Sequence, residues 1–528
     1  MSKARNLATL LSSDGSVKTT KYADSVGGQS DFVASGTLPN GSPVILNSDG
    51  TVSVVGTVVA DVTLTLAWPA GSFTSMSTSG HNGNLESDFN PSNVNQFVVV
   101  YGDIANSNYH TCIIGTVNGT AITFGSPVVY LSSPCAFTMV KFDPNRSTKF
   151  VIYYQDNSDS YKRKLLVGTI SGTTPSFAYS SIDVTTSYGN TSNRNCLQFD
   201  PFNADKFLIM YQDNWGGPTK VRVCTINNAS AITLGTAVEA VSANTSYQQI
   251  ILDQNTANKF LITYMLDNGT KDGCARAGTI SGNSVTFGTE LVFDSNRNLF
   301  IITDSEKSRS GKFLVATYDQ DNSGRTQLRV LTVTGTTVTA GTVTSLANSS
   351  FAMYGMHNDP NSAGSFIFTG QNPASPYEHW AYTASVSSGD IVTVAGPYDV
   401  SGGQRGGYGP AISFIPNGSG KFIFGGGYGA NLSTWGTKFA VGQLGGVYQG
   451  STPNLTTSNF IGISNAAYAD TETATLNLQG GTATNLSGLT PAATYYVQTD
   501  GTIATSADNP SVEVGKALST TSILLKGI

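Results

Sequence analysis

The chain has 528 residues, a net charge of −6, 57 glycines and only 12% charged side chains, about half the usual charged share of roughly 25%. An acidic chain without a basic stripe is not built to track phosphates, so nucleic acid is excluded as a partner. No apolar run approaches the ~18 residues of a membrane span, which argues against membrane insertion, and the 39% of hydrophobic residues are enough for a packed core rather than disorder.

The start, MSKARNLATLLSSDG, has an apolar stretch too short and too interrupted for a signal peptide. The expectation is that the chain is made and folded in a cytoplasm, or leaves it by a route other than Sec. Residues 3–11 form a short helix candidate followed by a Gly/Ser/Thr-rich connection. Residues 36–56, GTLPNGSPVILNSDGTVSVVG, carry a Pro-Asn-Gly turn, a strand, an Asp-Gly hairpin signal and another strand.

Residues 59–445 are repetitive. KFVIYYQDN, KFLIMYQDN, KFLITYMLDN and KFLVATYDQDN are copies of one template. Its phenylalanine recurs at Phe97, Phe150, Phe207, Phe260, Phe313, Phe366 and Phe422, at spacings of 53, 57, 53, 53, 53 and 56 residues. A period of this length is the mark of a propeller or an array of like units. Six residues before five of these anchors stand Pro91, Pro144, Pro201, Pro360 and Pro416, which end one strand and begin a turn. Hairpin signals follow the anchors, as in GTVNGTAITFG from Gly115, GTISGTTPSF from Gly168 and GTISGNSVTFG from Gly278.

Each unit therefore reads as four strands, which is one propeller blade. The runs Phe150–Tyr154 and Phe207–Tyr211 are continuously apolar, as in strands buried on both faces, not alternating as in a half-exposed sandwich. The seventh unit lacks a fourth strand, and the spare strand Asp61–Trp68 precedes the first. The expectation is an all-β fold: a seven-bladed β-propeller of four-stranded blades, closed by that N-terminal strand and flanked by small β modules. The domains are residues 1–58, 59–445 and 446–528.

The last segment contains LSGLTPAATYYVQTDGTIAT. Gly488, Leu489, Asp500, Gly501 and Thr502 match Gly36, Leu38, Asp49, Gly50 and Thr51, so the two ends carry one related small module twice. The segments SKARNLATLLSSDGSV and NFIGISNAAYADTETATLNLQGG…YYVQTDGTIAT…VGKALSTTSILLKG resemble bacteriophage virion proteins of the tail-fibre, fibre or spike kind, most similar to those of marine cyanophages. The resemblance covers the two ends only, and a propeller in the middle departs from it. It implies an N-terminal segment that docks on other virion proteins, with Ala4, Leu7, Leu10 and Leu11 as the docking side chains. It also implies homo-oligomers, often trimers, a globular part that meets the host surface, and a place in the virion after assembly in the host cytoplasm.

Catalytic patterns are sparse. His81, His110, His357 and His379 are scattered, with no GxSxG before a helix and no HExxH. Cys112, Cys135, Cys196, Cys224 and Cys274 form no CxxC pair and read as small buried hydrophobes. Asp319, Asp321, Ser323 and Gly324 resemble the start of a calcium loop, yet the closing Glu is missing, with Val330 at position twelve. No metal and no cofactor is expected. The one run of basic residues, Lys162–Arg163–Lys164, reads as a solvated hairpin tip.

One pattern is sharper. Asp103, Asp156, Asp213 and Asp319 stand six residues after their anchors, which places them on one face of the ring. They fit two readings. Each caps its own loop as an Asx turn, or together with Tyr109, Tyr161 and Trp215 they form a glycan-binding rim of carboxylates and aromatic faces. A glycosidase needs two carboxylates in unlike environments, which equivalent blade positions do not offer. The expected function is a non-catalytic virion protein that attaches to a host-surface glycan by multivalent weak contacts. The alternatives are a decoration protein without a receptor and a polysaccharide depolymerase.

Overall fold

In a computed structural model, the protein is described over residues 28–527, except 48, 59–63, 70–71, 78–79, 147, 178, 187–194, 215, 228–229, 268, 297, 322–323, 350–351, 372–377, 388, 402–404, 407–410, 419, 430–435 and 446–451. The four docking side chains and Trp215 lie outside the described residues. The only helical turn among the described residues is a 3-10 turn at Ile104–Asn106. Everything else regular is β.

The chain divides into two compact units, one from residues 61–448 and one from the two ends together. The middle unit contains seven antiparallel sheets in succession. In the second, Thr138–Phe142 pairs with Lys149–Asp156, which pairs with Lys162–Ser171. The third strand then takes a fourth in two pieces, Thr174–Ser176 and Ile182–Asp183. The outer strand is split in this way in six of the seven sheets, and is a single strand, Val392–Asp399, in the sixth. The continuous apolar runs are the second strands, and the anchor phenylalanines are all but fully buried in them.

The innermost strands adjoin one another in cyclic order, with Ala411–Phe414 of the seventh sheet beside His81–Phe89 of the first. Ser413 Oγ and Ser87 Oγ are 2.8 Å apart across that junction. The seventh sheet takes its outer strand from the start of the unit. Thr65–Ala67 pairs with Gln443–Gly445, and Thr74–Ser77 pairs with Thr437–Phe439. Trp68 then stacks on Phe422 at 6.0 Å and 8°, and its indole N–H donates to Val400 O at 2.9 Å. The closure drawn over Asp61–Trp68 forms over 65–67, with 61–63 outside the described residues. The middle unit is a seven-bladed β-propeller.

A repeated carboxylate joins the blades. Seven residues before the anchors stand Asp143, Asp253 and Glu306, all buried. One oxygen of each caps its own turn, accepting from Asn145 N at 2.9 Å, Asn255 N at 2.8 Å and Ser308 N at 3.0 Å. A carboxylate oxygen also crosses to the next blade, accepting from Asp205 N at 2.7 Å, Gly311 N at 2.8 Å and Gly364 N at 3.1 Å. Buried N–H groups must be paired, and these carboxylates pair two at once on neighbouring blades.

The triplet Lys162–Arg163–Lys164 is not a loop tip but begins a third strand, Lys162–Ser171. Alternate residues of a strand face opposite ways, so Lys162 and Lys164 pair with Asp183 and Asp156 at 2.9 and 3.0 Å. Arg163 points the other way. It is 1% exposed, with its guanidinium carbon 3.8 Å from the centroid of the Phe137 ring.

The second unit contains two five-stranded sheets of one topology. One, formed wholly by the C-terminal segment, uses Thr482–Ala483, Thr494–Val497, Ile503–Ala504, Val512–Ala517 and Ile523–Leu525, numbered first to fifth along the chain. They lie side by side in the order first, fifth, fourth, second, third. The other uses Gln29–Val33, Pro43–Leu46 and Val52–Val54, then Phe460–Ser464 and Thr473–Leu478, in the same order. The details agree too. Asp49 and Asp500 each accept from the backbone N–H two residues on at 2.9 Å and from its threonine hydroxyl at 2.7 Å. A glycine sits at a bulge in each fourth strand, where Gly462 faces Leu478 and Gly515 faces Leu525. A Cβ there would meet the adjacent strand's carbonyl at 2.1 and 2.0 Å.

The two end modules are thus one duplicated domain. The propeller is an insertion between the third and fourth strands of its first copy. The chain departs and returns side by side, since Thr57–Val58 pairs with Thr452–Pro453.

Candidate functional site

Along an antiparallel blade, successive turns fall on opposite faces. The aspartate loops between second and third strands share one face, and the proline turns share the other. Within the aspartate face each carboxylate is engaged locally. Asp103 Oδ1 accepts from Ala105 N at 3.1 Å. Asp156 Oδ1 accepts from Ser158 N at 3.0 Å and Ser158 Oγ at 2.6 Å, and Lys164 binds its other oxygen. Burial raises the Asp156 pKa, but the bonds from Ser158 and Lys164 outweigh it and hold the carboxyl below the usual range. Asp213 pairs with Lys220.

Asp319 is fully buried and accepts from Gln327 Nε2 at 2.8 Å and Asn296 Nδ2 at 2.9 Å. It therefore belongs to the interior and not to a rim. Tyr109 pairs opposite Asp103 at the start of its strand, while Tyr161, 45% exposed, sits at a loop tip. The carboxylates share a face, but each comes from a separate blade and is spent on its own loop or sheet. Among the described residues no group of three or more His, Cys, Asp or Glu is placed to hold a metal ion. All five cysteines are buried and unbridged.

The opposite face carries a site that the repeat pattern did not reveal. Each inner strand offers one register-equivalent residue, paired with the position after the anchor: Asp88, Lys141, Gln198, Ile251, Asp304, His357 and Ser413. All but Ile251 line a cavity of about 350 Å³. Its mouth includes four of the repeat prolines, Pro91, Pro144, Pro360 and Pro416, and Lys307 reaches it from the turn of blade 5.

The carboxyl groups of this cavity are latched to backbone. Asp88 Oδ2 accepts from Phe142 N at 2.7 Å. Asp304 Oδ2 accepts from Asn358 N at 2.8 Å, and its Oδ1 from Ser305 N at 2.8 Å. Burial pushes both carboxyls above the ordinary range, against the pull of Lys141 and Lys307. His357 is pushed down to about 3 by burial and by the same two lysine charges, so its imidazole is neutral at neutral pH. Among the described residues, the Lys141 and Lys307 side chains have no hydrogen-bond or ion-pair partner.

No family model and no curated protein matches this sequence. Solved structures match it by shape. The BP39L lectin of Burkholderia pseudomallei aligns with a TM-score of 0.51 at 9% identity, over 71% of this chain and 99% of its own. Sqt1 of Saccharomyces cerevisiae aligns over 71% and 99% at 11% identity, with a TM-score of 0.42. A Bacteroides fragilis protein provisionally named a 6-phosphogluconolactonase aligns over 66% and 94% at 11% identity, with a TM-score of 0.44. The likeness is one of fold.

Two cationic side chains, a neutral imidazole and the carboxamides of Gln198 and Gln254 face one space. Ser413, the one hydroxyl of the ring of seven, is bonded to Ser87 and its carbonyl and is not set against His357 as a nucleophile against a base.

Proposed function

We propose that this protein is a non-catalytic virion component of the tail-fibre or spike kind that attaches to a host-surface glycan. The observation that carries this reading is the build of the chain. A self-contained ring is inserted into the first copy of a duplicated β domain, a chain order that suits a binding unit carried by a repeated anchoring unit. The segments that resemble fibre proteins lie in that domain and ahead of it, and residues 4–11 are the docking piece. On the aspartate face the frame is constant while the loops differ from blade to blade, as IANSN, NSDSY and QDNSG at residues 104–108, 157–161 and 320–324 illustrate. Varied loops on a rigid scaffold are the usual means of recognition, and several weak sites on an oligomer sum by avidity.

The test is adsorption of the purified full chain to a panel of bacterial cells and to their isolated lipopolysaccharides and capsular polysaccharides. Saturable binding that also blocks phage adsorption is expected. Absence of adsorption across the panel would favour a decoration role, and release of new reducing ends would establish a depolymerase.

A further inference from the structure

We infer that the axial cavity on the proline-turn face binds the acidic end residue of a glycan, with the sugar carboxylate held by Lys141 and Lys307. This rests on the attachment reading above and names the chemistry of one site within it.

The cationic hydrogen-bonding capacity of the cavity is unspent. Each lysine carries three N–H donors and neither has an acceptor among the described residues. Asp88 and Asp304 already accept from backbone N–H groups of their own and the following strands, so they latch neighbouring blades and leave the cations to a guest. Burial pushes the Asp88 and Asp304 carboxyls up toward the neutral form, so the two lysine ammonium groups set the sign of the cavity and an anionic guest is the one they attract.

Size and shape agree with a sugar. A cavity of about 350 Å³ lies at the lower end of the ~300–1,000 Å³ range of small-ligand sites. Its proline rings offer apolar contact to a ring face, and the carboxamide oxygens of Gln198 and Gln254, whose Nε2 groups donate to Asn195 Oδ1 and Leu252 O, are left to accept from sugar hydroxyls. There is also a way out for the rest of a chain. A second depression of about 450 Å³ lies between blades 7 and 1 and shares Val94, Pro416 and Asn417 with the first. A bound end residue would lead into it toward Gln443.

The experiment is calorimetric titration of the full-length protein with sodium glucuronate, glucose, and a disaccharide ending in glucuronate. Glucuronate is expected to bind at least about tenfold tighter than glucose, as loss of a charge-assisted bond implies, and the disaccharide tighter still. Lys141→Gln and Lys307→Gln should each weaken glucuronate about tenfold or more, while Lys141→Arg, which keeps the charge, should retain it. Unfolding temperatures of the variants report whether the fold is intact. Equal binding of glucose and glucuronate, no binding of either at millimolar concentration, or full affinity in folded Gln variants overturns the site. Free glucuronate binding as tightly as the disaccharide overturns the chain-end assignment.

The two readings fail separately. Glucuronate binding by a protein that adsorbs to no cell supports this site and sinks attachment. Adsorption by a protein that ignores glucuronate does the reverse.

Discussion

The ring of Phe150 lies across Gly168, its partner on the adjacent strand, so closely that a Cβ on that glycine would come within 2.3 Å of the ring carbons. Gly115, Gly278 and Gly442 stand in the same relation to Phe97, Phe260 and Phe422. The glycine that opens GTISG is therefore a seat for the anchor ring more than a hairpin signal. Gly168→Ala is expected to destabilise the propeller by about 1–3 kcal/mol through overpacking. Phe150→Leu in the same chain should recover part of that loss, and denaturant unfolding of the double-mutant cycle measures the coupling. Additive effects of the two changes would refute the contact as the cause.

Asp253 gives a second expectation. Its carboxylate accepts from Asn255 N and Thr256 N in its own turn and from Gly311 N in the next blade. Asp253→Ala strands these donors and should cost about 1–3 kcal/mol for each one left buried and unpaired. Asp253→Asn keeps one carbonyl oxygen and should cost less. Unfolding midpoints that rank Asn below Ala in stability would contradict the latch.

These two pairs show where the sequence was readable. The second strands were legible because a strand buried on both faces, such as Phe150–Tyr154, is apolar throughout, and a strand left over at Asp61–Trp68 has one vacancy to fill. The links made by Asp143 and Asp253 are not legible, since the partner of their second oxygen is more than 50 residues away. The duplicated base was legible at Asp49 and Asp500, where a tight turn dictates residue types. It is hidden in the fourth and fifth strands, where the two copies share little beyond Gly462 and Leu478 against Gly515 and Leu525. The axial ring is not legible because Asp88, Lys141, Gln198 and His357 occupy one register with four different chemistries, and a period is found only where residues repeat.

His110 predicts a pH dependence. Its Nε2–H donates to Gln155 O at 3.0 Å, while Nδ1 lies 3.1 Å from the Tyr130 hydroxyl, itself 2.8 Å from Thr138 Oγ1. This chain uses the neutral ring, with Tyr130 donating to Nδ1. Burial pushes the imidazole from 6.5 down to about 4, against the raising effects of the Gln155 carbonyl and Asp156. A base with a depressed folded-state pKa binds its proton first in the unfolded chain. The stability is thus complete above pH 6.5 and is lost as the pH falls toward 4, on the order of 3 kcal/mol in all. His110→Gln should flatten that part of the stability profile. An imidazole that titrates near 6.5 by NMR in the folded protein would rule this out.

The inserted ring leads to the last expectation. Val58 and Thr452 are paired residues on adjacent antiparallel segments, so the two ends that flank the propeller need only a hairpin-length link, about 2–5 residues. Replacing residues 59–451 by a short Gly-Ser connection should leave the duplicated domain folded. Its cores are internal to it: Leu38, Val44, Ile461 and Leu476 pack together in the first copy, and Ile45 and Phe460 pack with Tyr495, Val497 and Val514 between the copies. The shortened protein should show a cooperative thermal transition and dispersed amide NMR signals. A soluble but unfolded product would mean that the base depends on the ring, and the insertion would then be one folding unit with its host.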